Sequence, residues 1–267
     1  MAQTIPTSSL QSGHPLTAAS RRRWIIGAAG VLVPVVSGAF PPLSLKSPPS
    51  VSGYTSASGG GSAPTFGAGA TTSAANNDFS EAFATSGSDR LLLVMIGGWR
   101  SGGWTCTGVT YNGVAMTRWR KETSGGDGCD VFYLVSPATG SNTVAASFST
   151  SPTDSIMTMA YFNGVNQTTP LRAGSSSGGS TGVNGSWTAS SSIASATGDL
   201  AVILYEWWES FTIGAGQTSR VTGMVANPVF VGGTVATAVG AATVTPSGTV
   251  NNNTGGLVWV GASIQPL

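Results

Sequence analysis

From about residue 77 onward, short apolar runs alternate with turn-forming residues, and this pattern predicts β-strands. The runs end at Gly, Asn, Asp, Ser or Pro, which interrupt regular structure. No segment carries the apolar repeat of a convincing amphipathic helix. The expected strands span residues 79–85, 90–98, 106–111, 114–120, 129–136, 142–149, 155–162, 199–208, 217–224, 234–238, 241–246 and 257–264. Many short strands separated by turns are typical of a β-sandwich or barrel.

Two details of the pattern refine this expectation. The apolar residues at 90–96 and 200–204 form unbroken runs rather than alternating with polar residues. Such runs indicate central strands that are buried on both faces. Asn112 and Gly113 lie between two alternating segments and accept the positive φ angles of a type I′ turn. They predict a hairpin.

The first 76 residues lack the strand pattern. Residues 41–76 contain two Pro-Pro pairs, a run of three glycines and many Ser, Thr and Ala, a composition typical of a linker. We therefore divide the chain into an N-terminal anchoring arm (1–50), a Gly/Ser/Pro-rich linker (51–76) and a sandwich domain (77–267).

Charge is scarce and unevenly distributed. Charged residues make up 8% of the 267 residues and the formal net charge is +1, which argues against a generic nucleic-acid binder. No acidic residue precedes Asp78, and Arg21, Arg22 and Arg23 are consecutive. The sequence thus joins a basic arm to a mildly acidic body.

The arginines of the arm allow two interpretations. Followed by an apolar stretch and by the small residues at 37–39, they resemble a twin-arginine export signal. The apolar stretch is too short for a membrane-spanning helix. However, twenty residues precede the arginines, which is long for the start of a signal. A tether that docks on another subunit is the other interpretation.

The order of strand and turn motifs in the body resembles a known family. The motifs are Asp89-Arg90-Leu91-Leu92-Leu93-Val94, Val109-Thr110-Tyr111-Asn112-Gly113-Val114-Ala115-Met116-Thr117, Val131-Phe132-Tyr133-Leu134-Val135, Tyr161-Phe162-Asn163-Gly164-Val165-Asn166-Gln167-Thr168-Thr169-Pro170 and Thr197-Gly198-Asp199-Leu200-Ala201-Val202, with a last strand ending at Ile264-Gln265-Pro266. Over residues 78–267 they resemble jelly-roll-type structural proteins of tailed-bacteriophage virions.

This resemblance implies a fold and a role. The expected fold is an all-β, antiparallel, jelly-roll-like sandwich preceded by an extended arm. The expected role is a non-enzymatic virion protein of the capsid or tail (head decoration, head fibre or tail accessory). The family brings no catalytic residues and no cofactor. We expect other virion proteins as partners, together with homo-oligomers, and neither nucleic acid nor membrane.

The arm would supply the attachment to the particle. Arginine makes bidentate contacts with carboxylates, and buried Trp and Ile anchor interfaces. The expected anchoring residues are Arg21, Arg22, Arg23, Trp24, Ile25 and Ile26. The alternative function is a secreted or periplasmic carbohydrate-binding module, exported through the twin-arginine signal.

Few residues suggest catalysis or metal binding. Glu206 and Glu209 invite a glycosidase interpretation, but a strand directs them to opposite faces, so we interpret them as two solvated acids. The only histidine, His14, lies in the arm, which disfavours a catalytic triad. Three aspartates could contribute to a calcium site, but no loop follows the calcium-loop pattern, and we interpret them as turn residues; they are Asp127, Asp130 and Asp154.

Two further sets of residues carry predictions. Cys106 and Cys129 are the only cysteines, and each begins an expected strand near the same hairpin. We expect them to form a disulfide if their Cα atoms come within about 7 Å. Tryptophans beside glycine-rich turns are candidates for a surface aromatic interface or a glycan site, and core packing is the other interpretation. The candidates are Trp99, Trp104, Trp207 and Trp208.

Overall fold

The computed structural model describes residues 61–73, 79–181, 185–226, 230–250 and 256–267. The predicted arm and its anchoring residues 21–26 lie outside this part. Nineteen strands and no helix occur within it. The first nine are β1 Thr65–Ser73, β2 Phe79–Thr85, β3 Leu91–Trp99, β4 Thr105–Tyr111, β5 Val114–Ala115, β6 Thr117–Ser124, β7 Asp127–Val135, β8 Gly140–Thr150 and β9 Asp154–Asn163. The remaining ten are β10 Ser177–Thr181, β11 Gly185–Thr188, β12 Ile193–Ala194, β13 Leu200–Trp208, β14 Phe211–Ile213, β15 Thr218–Ala226, β16 Phe230–Val239, β17 Thr243–Val244, β18 Ser247–Val250 and β19 Leu257–Ile264.

The first nine strands form a sandwich of two antiparallel sheets. The first inner sheet has the order β1-β9-β3-β7-β6, and the first outer sheet has the order β2-β8-β4-β5. The chain passes repeatedly between the sheets, and its first and last strands are neighbours, as in a jelly roll. Asn112 and Gly113 have φ angles of 51° and 74° in the turn between β4 and β5, which confirms the predicted hairpin.

The last ten strands repeat this arrangement. The second inner sheet has the order β10-β19-β13-β16-β15, and the second outer sheet has the order β11-β18-β14, with β12 and β17 as a separate pair. In the second inner sheet, β10, β19, β13, β16 and β15 occupy the positions of β1, β9, β3, β7 and β6, respectively. In the second outer sheet, β11, β18 and β14 occupy the positions of β2, β8 and β4. A register shift lies between Arg118 and Arg120 of β6 and, at the equivalent place, between Ser219 and Val221 of β15. The all-β prediction is confirmed, and the body contains two jelly-roll-like sandwiches.

The two inner sheets pack face to face and create a four-layered structure. β1 packs on β15 and β6 on β10, while β9 packs on β16 and β7 on β19. If the two sandwiches are exchanged, the contact of β1 with β15 becomes that of β10 with β6, and the contact of β9 with β16 becomes that of β19 with β7. The packing therefore has approximate two-fold symmetry. We call the interface between the two inner sheets the seam.

The layering explains the two unbroken apolar runs. Leu91 and Leu93 of β3 contribute to the seam, whereas Leu92 and Val94 contribute to the core of the first sandwich. The same alternation holds along β13, where Val202 and Leu204 contribute to the seam and Ile203 and Tyr205 to the second sandwich. Both strands are central and buried on both faces, as predicted.

One predicted boundary is wrong. Residues 65–73 form strand β1 of the first inner sheet, although the composition assigned them to the linker. Small residues dominate this edge strand and much of it is only half-buried, so it carries no apolar alternation that would reveal it.

Candidate functional site

The predicted surface tryptophans are mostly buried. Trp104, Trp207 and Trp208 are at most 7% exposed, and Trp99 is half-buried. The Trp104 Nε1–H donates to the Gly98 carbonyl at 2.9 Å, and the Trp207 Nε1–H donates to Thr234 Oγ1 at 3.0 Å. The prediction of a surface aromatic interface is therefore wrong for these three residues.

Trp99 and Trp208 meet across one end of the seam. Their ring centroids are 6.2 Å apart with planes at 86°, an edge-to-face arrangement. The register of the two inner sheets makes them equivalent residues, each at the end of the central strand of its sheet. Ile156 and Val231 complete a small apolar cluster around Trp208. This contact lies close to the approximate two-fold axis.

The cysteines do not form the predicted disulfide. Both are buried free thiols. Cys106 contributes to the core of the first sandwich, whereas Cys129 faces the seam, so the first inner sheet separates them. Burial, followed by the charge of Asp130, raises the pKa of Cys106 to about 11. Burial, followed by the charge of Glu206, raises the pKa of Cys129 well above its usual value. Both thiols should react poorly.

Glu206 is fully buried in the seam, so the interpretation as a solvated acid is wrong. The alternation of β13 directs it toward β3, where Gly97 leaves room for its side chain. Neither carboxyl oxygen has a hydrogen-bond partner in the described part of the chain. Burial, followed by the charge of Asp127, raises the pKa of Glu206 well above its usual value. Burial in the seam therefore favours the protonated form of Glu206.

Two further carboxyls lie near the same end of the seam. Asp127 and Asp154 are the cross-strand partners of Trp99, one on each side of β3. Each has one buried carboxyl oxygen without a hydrogen-bond partner among the described residues. Burial raises the pKa of Asp127 to about 6 and also raises the pKa of Asp154. The Trp208 indole lowers the pKa of Asp127 and of Glu206 and so opposes the effect of burial, although its N–H makes no hydrogen bond of ordinary geometry.

Asp130 differs from these acids because it has a cationic partner. It projects into the first sandwich, where Arg118 Nε donates to its Oδ1 at 2.9 Å. The same guanidinium donates to the Cys106 carbonyl and lies 5.0 Å from the centre of the Phe132 ring. Asp127, Asp130 and Asp154 thus lie within strands rather than in turns. The described residues contain no group of three or more His, Cys, Asp or Glu that could hold a metal ion.

Two surface grooves lie outside the seam. One, of about 350 Å³, follows the edge of the first outer sheet and is lined by Thr107, Met116 and Arg118, among others. The other, of about 410 Å³, includes Arg172 and Asp199 near the last strand. In each groove the arginine is already paired with a carboxylate, Asp130 in the first and Asp199 in the second. Neither groove therefore offers an arginine free to bind an anion.

Within the described residues, the side chains named above do not form a recognisable catalytic constellation. The glutamate predicted to be solvated is buried in the seam, a position that the sequence does not reveal because a strand-end carboxylate is normally exposed. Comparison with protein-family models, with curated proteins and with solved structures gave no match. No helix that could cross a membrane occurs in the described part of the chain.

Proposed function

We propose that this chain is a non-enzymatic structural protein of a tailed-bacteriophage particle. The arm attaches it to the capsid or tail, and the two sandwiches project from the particle or cement it. The observation that carries the proposal is the division of the chain into a basic segment without acidic residues and an all-β body. The motif resemblance of the body to virion proteins supports the same role.

The architecture of the body suits a particle that persists outside cells. The two large inner sheets share an apolar cluster in the seam, and each also packs against an outer layer. Burial of this kind is the main favourable contribution to folding. Buried Asp130 and Asp199 each pair with an arginine, so these charges are compensated.

Particle incorporation tests this function directly. We expect deletion of residues 1–50 to abolish incorporation into particles of the phage that encodes the chain, while the body still folds. A triple Arg21→Ala/Arg22→Ala/Arg23→Ala variant should reduce incorporation strongly, whereas Arg220→Ala, a cation of the body, should not. Copy number in purified particles is the measurement. Normal copy number of the deletion variant would contradict the proposal.

The alternative, an exported glycan-binding module, has lost part of its support. Exposed aromatic rings are the usual platform for sugars, and three of the four candidate tryptophans are buried. A mature N-terminus near Phe40, found by mass spectrometry of secreted protein, together with binding on a glycan array, would favour this alternative. An intact Met1 and an empty array would exclude it.

A further inference from the structure

The acids of the seam have an unusual position, because they lie between two packed sheets rather than in a pocket. Glu206 is 0% exposed and its two carboxyl oxygens have no hydrogen-bond partner among the described residues. Asp127 and Asp154 each have one buried carboxyl oxygen that also lacks a hydrogen-bond partner among these residues. A buried polar group without a partner destabilises the folded state, and an ionised one does so far more.

Close packing leaves little room for the seam to accommodate a charge. Glu206 and Gly97 occupy equivalent positions in the two inner sheets. A Cβ atom added at Gly97 would lie 2.6 Å from the Glu206 Cγ and 3.2 Å from the Ile156 Cγ2. The Cβ and Cγ of Glu206 therefore occupy the space that the glycine of the opposite sheet provides.

The strands around Glu206 bring acids rather than bases toward it. β7 contributes Asp127 and the Cys129 thiol, and β9 contributes Asp154 at the same end. Across the seam β3 presents Gly97 and Trp99, and beside β13 the strand β16 presents Gly233 and Val231; none of these residues titrates. The remaining charged pair is on β6, where Glu122 binds Arg120. Glu122 raises the pKa of Cys129, so the acids around this region disfavour a further negative charge.

We propose that the seam is a proton-dependent latch, which holds the two sandwiches together while Glu206 keeps its proton and loosens when that proton is lost. Deprotonation would place a charge between the sheets beside other acids and without a counter-ion from the strands named above. The least costly response is separation of this end of the seam, which admits water. The latch does not depend on the proposed role in a virion.

The direction of the pH dependence follows from the raised pKa values. In the unfolded chain these carboxyls titrate near pH 4. Their contribution to stability is fully present below that pH and is lost as the pH rises through the folded-state values. For Asp127 the loss is complete somewhat above its pKa of about 6. Glu206 contributes in the same direction, because burial raises its pKa well above its usual value.

Thermal unfolding of the full chain tests the latch. Between about pH 5 and about pH 9 we expect the Tm of the wild type to fall by about 4 °C or more. Fluorescence from the Trp99–Trp208 contact should report opening at the high-pH end. Glu206→Gln, which keeps the shape without the ionisable proton, should remove most of the fall. Glu81→Gln, an acid of the first outer sheet, serves as the matched control and should behave as the wild type.

Asp127→Asn provides a second, milder variant in case Glu206→Gln fails to fold. It should flatten the lower part of the profile, around pH 6. A wild-type Tm that stays constant over the whole range would overturn the proposal. A fall that persists unchanged in Glu206→Gln, or in Asp127→Asn where that is the only variant that folds, would overturn it as well.

Discussion

The two sandwiches share a topology but differ in the chemistry of equivalent positions. In the first, Arg118 of β6 pairs with the buried Asp130 of β7. The register places Ser219 and Thr234 at the corresponding positions of the second, where Thr234 accepts a hydrogen bond from Trp207. The same backbone arrangement therefore tolerates either an ion pair or two small hydroxyl residues. This topology depends on strand order and apolar alternation rather than on a particular polar pair.

Across the seam, equivalent positions carry side chains of different size that fit against each other. Glu206 faces Gly97, and the register aligns Cys129 with Gly233 of the second half. An exactly two-fold arrangement would bring two glutamates, or two glycines, together at this position. Fusion of both halves in one chain permits a large side chain on one sheet and a gap on the other.

The largest loss of stability is expected at the contact between Gly97 and Glu206, where the two inner sheets fit closely. Gly97→Val would force two methyl groups against the Glu206 Cγ, and we expect the free energy of unfolding to fall by about 3 kcal/mol. Gly108→Val is the matched control, because a Cβ at Gly108 of β4 would meet no atom within 4 Å. Urea denaturation measures both. Equal losses in the two variants would show that the Gly97–Glu206 fit is unimportant.

The ion pair of the first sandwich should give the next effect. Arg118→Ser leaves Asp130 buried without its cation and should cost about 2 kcal/mol, less than for a fully enclosed pair because Arg118 is 44% exposed. Arg118→Ser/Asp130→Thr installs the pair found in the second sandwich and should recover much of this loss. Chemical denaturation of the single and double variants provides the cycle. If the double variant is no more stable than Arg118→Ser, the halves are not interchangeable at this site.

A smaller effect should be shared by both halves. Gly113 lies at φ 74° between β4 and β5, and Gly216 lies at φ 79° between β14 and β15. Replacing either by Ala places a side chain in the left-handed region and should cost about 1 kcal/mol. Because a Cβ at either glycine meets nothing within 4 Å, the cost is one of backbone conformation alone. Thermal unfolding should give similar losses, and a large difference would show that the cost of a left-handed residue differs between the two halves.

The sequence predicted most of the first sandwich and less of the second. The central strands β3 and β13 were identified because burial on both faces leaves unbroken apolar runs. Short strands such as β11 and β14 were missed because three or four residues are too few to show alternation. Duplication was invisible because the halves share strand order rather than residues. The buried position of Glu206 depends on Gly97, more than a hundred residues away, and no local pattern reveals such a contact.

The smallest effect concerns the two cysteines, which have no equivalent pair in the second sandwich. Since Cys106 and Cys129 lie on opposite sides of the first inner sheet, a reductant should leave the Tm unchanged within about 1 °C. A thiol reagent should label neither cysteine in the folded chain and both after denaturation without reductant, because burial raises both pKa values. Mass spectrometry of the labelled protein is the measurement. If the denatured chain took up label only after reduction, the cysteines would be bonded and the separation of the two cores described above would be wrong.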